Sequence, residues 1–240
     1  MPAKNAIKEY EAGGYYHIYN RGVEKRIIFK DEKDYKTFLA YLELYLIPPV
    51  SGDSDLQGLS FKKKIPPSRV LKNYFGEITL LSYCLMPNHF HLMIRQNSDR
   101  GIDSFMRSLA TKYVRYFNTR YKRVGPLFQG IYKAVRVIDE FQFTYLSKYI
   151  HRNPIDLMTY KDGPRRLSEY KYSSYGNYLR LFNQQWVNTV EILGLFSALK
   201  RGYSYQNFVE DSEPDDITII SSLVIDIDYL QVTYKDGPCR

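Results

Sequence analysis

Only two cysteines, Cys84 and Cys239, occur in the 240 residues, one inside an apolar run and the other beside the terminus. That spacing offers no disulfide framework, so both are expected as reduced thiols. Also missing are an N-terminal apolar stretch of signal-peptide type and any run near the ~20 residues that cross a bilayer. Export and membrane insertion are therefore not expected, and the cytoplasm is the expected location. No internal repeat or low-complexity tract is present. A further absence is local: Ser104 to Ile138 contains no Asp or Glu. That stretch does contain Arg107, Lys112, Arg115, Arg120, Lys122, Arg123, Lys133 and Arg136, whereas most of the C-terminal acids lie between 210 and 236. With a formal charge of +8, the basic half is a candidate surface for a polyanion. The plainer reading of these charges is a solvated helix face and a basic loop.

What is present suffices for a core, since 44% of the residues are apolar and 16% aromatic. The chain is long enough for one full domain and an appendage. Tyr15 to Asn20 reads as a strand closed by the turn Asn20-Arg21-Gly22. Asp31 caps a predicted helix to about Leu46, with Tyr35, Phe38, Leu39 and Leu42 on one side. Residues 48–69, with two Pro-Pro pairs, a Ser/Gly/Asp stretch and Lys62-Lys63-Lys64, read as a flexible insertion. Ile78–Met86 and Phe90–Ile94 form a predicted hairpin across Pro87-Asn88.

Arg100 to Tyr121 is a basic amphipathic helix whose stripe Ile102, Phe105, Met106, Leu109, Tyr113 and Phe117 faces the core. Other aromatics in this region, Tyr116, Tyr121 and Phe128, could stack on unpaired bases or join that core. Ile131–Ile138 reads as a strand, and Asp139 with Gln142 as the capping box of a helix that carries Tyr149 and ends at Pro154. The order β, α, β, β, α, β, α predicts an α+β fold, a ferredoxin-like antiparallel sheet with helices on one face. Helical segments from about Trp186 to Leu199 and a strand-like stretch Ile217–Ile227 follow. The expected division is a domain over 1–180 and an extension over 181–240.

His89-Phe90-His91 places two imidazoles on one face of a strand, with Phe90 turned to the core. They can donate two nitrogens to one divalent ion, though from the tripeptide alone an ordinary strand with one buried and one surface histidine is the favoured reading. Asn153 supplies a hard amide oxygen from the end of the Tyr149 helix. Two nitrogens and one oxygen, with positions open to phosphate oxygens, suit Mn²⁺ or Mg²⁺. Zinc is the alternative, but no Cys or His completes a closed set nearby. Tyr149 and Asn153, four apart, share a helical face. A tyrosine phenol stays protonated to a pKa of ~10, so its use as a nucleophile needs a cation to stabilise charge on the phosphate. With 24 tyrosines in the chain, position alone singles out Tyr149. Tyr145, one turn earlier, makes a two-tyrosine arrangement the rival.

Four stretches, taken together and in this order, carry a family resemblance: Tyr16-His17-Ile18-Tyr19-Asn20-Arg21-Gly22, Met86-Pro87-Asn88-His89-Phe90-His91-Leu92, Gly125-Pro126-Leu127-Phe128-Gln129 and Tyr149-Ile150-His151-Arg152-Asn153-Pro154. With Tyr172-Ser173-Ser174-Tyr175, they span about residues 14 to 180. The chain resembles the single-tyrosine HUH transposases, and among them the REP-associated tyrosine transposases. The resemblance implies a ferredoxin-like domain that binds single-stranded DNA folded into an imperfect hairpin, a palindromic repeat. It implies cleavage with a divalent metal, giving a 5′-phosphotyrosine and a free 3′-OH.

On this chain the resemblance makes His89, His91 and Asn153 metal ligands, Asn153 standing where many insertion-sequence relatives have Gln, and Tyr149 the nucleophile. His17 and Arg21 match its first motif, where a fold role competes with DNA contact. His151, two residues on, lies about 160° round the helix from Tyr149 and stays outside the ligand set. The insertion and the region after about Trp186 match no motif. The expectations are a soluble, nucleoid-associated monomer rather than a dimer. The competing functions are a domesticated hairpin-binding protein and a replication-initiator or relaxase nickase.

Overall fold

The computed structural model describes residues 10–49, 72–161, 163–197 and 203–211. From residue 50 on, the insertion lies outside them, as do Leu199 and the stretch Ile217–Ile227. Strands β1 (Tyr15–Arg21), β2 (Ile78–Met86), β3 (His89–Gln96) and β4 (Lys133–Val137) form one sheet in the order β2-β3-β1-β4, every pair antiparallel. Helix α1 (Glu32–Leu46) follows β1, and α2 (Gly101–Arg120) follows β3. This β-α-β-β-α-β succession with β1 and β3 central is the ferredoxin-like arrangement.

The predicted ends hold where a cap specifies them. Asp31 accepts from the backbone N–H of Lys33 and Asp34 at the start of α1. Asp139 likewise accepts from Gln142 N at 2.7 Å to open α3 (Glu140–Arg152). The Gln142 side chain reaches back to Ile138 N at 3.1 Å, one residue earlier than a capping box requires.

Alternation along the strands divides the apolar side chains between two cores. Ile18, Phe90, Leu92 and Ile94 face α1 and α2, whose Phe38, Leu42, Ile102, Phe105, Leu109, Tyr113 and Phe117 are buried there. Met93, Leu81 and Cys84 face the other way, beneath Phe143, Leu146 and Ile150 of α3. The expectation of helices on one face therefore holds for α1 and α2 alone. A sheet whose central strands are apolar on both faces must cover both, and α3 covers the second. Alternation gives β2 side chains in both cores, and a register shift between Leu80 and Ser82 resets its phase, so that Leu80 and Tyr83 point into one and Leu81 and Cys84 into the other.

The extension is built onto these layers. Trp186 and Val187 join the first core; Ile192 of α6 (Val190–Ser197) and Tyr205, Phe208 and Val209 of α7 (Tyr205–Glu210) join the second. Short helices α4 (Ile155–Met158) and α5 (Tyr175–Tyr178) lie between α3 and α6. The helix predicted from Trp186 begins at Val190, where the Asn188 side chain accepts from Val190 N at 3.0 Å. No described helix is long and apolar enough to cross a membrane.

Candidate metal centre and nucleophile

The β2–β3 hairpin is closed by Pro87 and Asn88, so β3 begins at His89. The turn is held from outside: the Pro87 carbonyl accepts from Ile28 N at 2.8 Å and Phe29 N at 3.0 Å, and the Asn88 carbonyl from Gly22 N at 2.8 Å. Gly22 is needed for this approach, because a Cβ there would collide with the Arg26 carbonyl oxygen. Two of the sequence motifs meet at the same corner. Arg21 donates to the Gln129 side chain, and its carbonyl accepts from Gln129 N at 2.8 Å. Arg21 also pairs across the sheet with His89, as Tyr19 does with His91.

His89 and His91 project from the α3 side of the sheet, with ring centroids 5.0 Å apart, while Phe90 enters the opposite core. The end of α3 lies over them. Asn153, its C-cap, brings Oδ1 to 3.2 Å from His89 Nε2. The Tyr149 ring stands edge-on to His91, 5.4 Å between centroids, and 6.1 Å from His17. The structure thus gathers His89, His91, Tyr149 and Asn153 at one place. Tyr145 packs instead against Phe208 at 5.2 Å and Phe141 at 6.3 Å.

The proton count at His89 tests whether these donors suit a cation. Its Nδ1 lies 2.7 Å from Asn88 Oδ1 and its Nε2 3.2 Å from Asn153 Oδ1. The Asn153 orientation is set by its Nδ2, which donates to the Tyr149 carbonyl at 2.9 Å. Burial is the main reason the His89 pKa falls to about 4, with Arg21 adding to the fall and the Asn153 contact opposing it. The ring is therefore neutral near pH 7 and has one proton for two amide oxygens. With that proton on Nδ1, a nitrogen lone pair and an amide oxygen face each other, which is the arrangement a cation stabilises. Cis donors at ~2.1 Å around an octahedral ion are ~3 Å apart, close to the separation found. Burial, then His89 and His17, hold His91 well below the usual histidine range, so it too is neutral. Among the described residues no group of three or more His, Cys, Asp and Glu could hold a metal, so a third donor beside the two imidazoles would have to be of another type, such as the Asn153 amide. The residues present fit a divalent ion. Burial also raises the Tyr149 phenol above its ordinary value, against a smaller lowering by Asn153.

A family model described as "Transposase IS200 like" matches residues 68–153, a span that contains all four of these residues. Over residues 68–153 the chain is therefore similar to the IS200-like transposases. No curated protein matches the chain. Among solved structures, the chain is similar to a REP-associated tyrosine transposase bound to a REP hairpin, at 12% identity and a TM-score of 0.49, covering 84% of this chain and 99% of that one. It is also similar to a Deinococcus radiodurans R1 protein provisionally named a transposase, at 14% identity and a TM-score of 0.35, covering 62% and 97%.

The matched segment is anchored by residues outside it. His151 is buried, with Nδ1 2.7 Å from Tyr205 Oη and Nε2 2.8 Å from Ser174 Oγ. Ser174 Oγ also accepts from Tyr83 N at 2.8 Å, tying the end of α3 to β2. Arg152 donates to the Val209 carbonyl at 2.7 Å. These contacts give the Tyr-Ser-Ser-Tyr stretch and α7 a part in holding the Tyr149 helix. His151 itself, as expected, faces away from the pair.

The basic residues of the segment divide by what they already touch. Arg120 pairs with Asp31 and with the buried Asp34, both at 2.6 Å. Arg136 pairs with Glu11 at 2.6 Å. Lys112 lies 4.7 Å over Tyr41, and burial lowers its pKa. Arg123 bonds Asn118 Oδ1 at 3.2 Å, and Lys133 lies 5.9 Å from the Tyr19 ring. Arg107, Arg115 and Lys122 have exposed side chains. Tyr113, Phe117 and Phe128 are core, and Tyr116 and Tyr121 donate to Asp34 at 2.9 and 2.8 Å. Those five rings are built into the fold rather than presented for stacking. Helix α2 lies on the sheet face away from the histidines. Arg107 nevertheless shares a cavity of about 420 Å³ with Asn20, Phe128 and Tyr132, which reaches the β1 end beside Arg21.

Proposed function

We propose that this protein is a metal-dependent endonuclease and strand transferase for single-stranded DNA folded into hairpins, acting through a 5′-phosphotyrosine. The observation that carries the reading is the convergence of His89 Nε2 and Asn153 Oδ1 at 3.2 Å under the helix that presents Tyr149. A bound Mg²⁺ or Mn²⁺ would polarise the scissile phosphate and stabilise charge in the transition state. Tyr149 Oη loses its proton and attacks phosphorus, the P–O3′ bond breaks, and the 3′ oxygen leaves as a hydroxyl. The linkage to Tyr149 conserves the phosphodiester, so another 3′-OH can reverse the step without ATP. Helix α3 packs on β2 and β3 of its own chain, so Tyr149 reaches the histidine pair without a second copy, which supports a monomer. The match of residues 68–153 to the transposase family model supports DNA as the substrate. Repeated palindromic elements as targets, and a nucleoid-associated cytoplasmic location, belong to the same proposal.

The test is covalent capture. A labelled hairpin incubated with the protein and Mn²⁺ yields an adduct stable to denaturant, and Tyr149→Phe removes the adduct while hairpin affinity changes less than about threefold. An adduct that persists in Tyr149→Phe overturns the nucleophile. Hairpin binding without any adduct in the wild type favours a DNA-binding protein that performs no chemistry.

A further inference from the structure

His17 is fully buried on β1, with Nε2 2.9 Å from His91 Nδ1 and its ring stacked on that of His91 at 5.1 Å and 17°. Tyr19 stacks on both imidazoles, at 4.7 Å from His17 and 5.8 Å from His91. Burying an imidazole costs more than burying a phenyl ring unless its polar atoms are used. The nitrogen of His91 engaged by His17 is Nδ1, which leaves Nε2 as the atom that can donate to an ion. His89 is arranged in parallel, with Nδ1 on Asn88 Oδ1 and Nε2 toward Asn153.

We infer that His17 is a positioning residue that selects the metal-binding tautomer of His91. The inference rests on the metal-site reading above. A neutral imidazole carries one proton, and Nε2 donates to a metal only if that proton is on Nδ1. At 2.9 Å, His91 Nδ1–H then donates to His17 Nε2, which must be the unprotonated nitrogen of that ring. The reverse bond, from His17 Nε2–H to His91 Nδ1, would place the His91 proton on Nε2 and block the ligand. His17 thus does for His91 what the Asn88 amide oxygen does for His89, and ring stacking fixes the plane in which it does so. Residue 17 lies outside the matched family span of 68–153, so this component of the site is supplied by β1.

The full chain, labelled with ¹⁵N and free of metal, reports the tautomers of its four histidines by long-range ¹H–¹⁵N correlation. His17 and His91 are expected as Nδ1–H tautomers. His91 found as Nε2–H overturns the inference, whether or not any variant folds. Mn²⁺ affinity, read by electron paramagnetic resonance, should weaken roughly 10–100-fold in His17→Phe, the range for loss of a ligand's supporting partner. His17→Gln, whose amide oxygen can accept from Nδ1–H, should recover most of the loss. A His17→Phe protein that binds Mn²⁺ like the wild type, or a His17→Gln protein that binds as poorly as His17→Phe, overturns the inference while leaving the metal site standing. Wild-type protein that takes up no Mn²⁺ removes the metal site, and the role of His17 with it.

Discussion

Asn153 joins the two halves of the site: its side-chain oxygen lies 3.2 Å from His89 Nε2 while its nitrogen donates at 2.9 Å to the carbonyl of Tyr149. One amide therefore couples the position of the Tyr149 helix to the histidine strand. Asn153→Ala removes both contacts and should weaken Mn²⁺ binding at least tenfold, the lower end for a lost site component. Asn153→Asp keeps the oxygen and loses only the bond to the Tyr149 carbonyl, so it should bind Mn²⁺ at least as well as wild type. Titration calorimetry of the three proteins checks the order, and equal affinities would remove Asn153 from the ligand set.

Acid should destabilise the metal-free fold. Burial lowers the His151 pKa to about 3, against an unfolded value of ~6.5. Between those values the unfolded chain binds the proton and the folded chain does not, so stability is full above pH ~6.5 and is lost as pH falls toward 3. One such group contributes a slope of at most about 1.4 kcal/mol per pH unit. His89, held to about 4, and His91, held lower than usual, act in the same direction. In His151→Gln the slope between pH 6 and 4.5, from urea unfolding in chelator, should decrease by about that amount, with some stability lost at pH 7. An unchanged slope would mean that His151 is not held neutral.

The basic surface should separate into two groups. Arg107→Ala or Arg115→Ala should lower the slope of log affinity against log salt by about 0.7–0.9 per lost phosphate contact, with no change in melting temperature. Arg120→Ala should lower the melting temperature, because Asp34, fully buried, loses its ion pair. If the exposed positions leave the salt slope untouched, the DNA path does not run along α2.

Anchoring by the extension should be measurable apart from DNA binding. Tyr205 Oη is 2.7 Å from His151 Nδ1 and donates to Ser147 Oγ at 3.0 Å, so Tyr205→Phe leaves two buried polar atoms short of a partner. A loss of about 1–3 kcal/mol is expected. Covalent adduct formation should slow while hairpin affinity holds; unchanged cleavage would show that α7 only stabilises.

Where the signal was local, the chain announced its own structure. Asp31 and Asp139 mark helix starts because a carboxylate meets unpaired N–H groups within three residues. Pro87-Asn88 marks the hairpin, and period-two alternation puts His89 and His91 together with Phe90 opposed. The stripe on α2 was legible for the same reason. The chain does not show which basic residues are exposed, since Arg120 differs from Arg115 only in facing Asp31 and Asp34, some 86 to 89 positions away. Nor does it show which helix covers the second face of the sheet, although the near-continuous apolar runs of β2 and β3 already call for two layers.

The sequence by itself determined the candidate donors and the candidate nucleophile as residue types: two imidazoles on one strand face, and a tyrosine and an amide one turn apart on a helix end. Such pairings follow from the backbone periods of 2 and 3.6 residues and need no long-range information. Only the tertiary structure decided that the two pairs meet, that His17 stands behind His91, and that Ser174, Tyr205 and Arg152 hold the helix over the strand. Those contacts link residues 23 to 74 positions apart, and it is packing on both faces of one sheet that brings them within hydrogen-bonding distance.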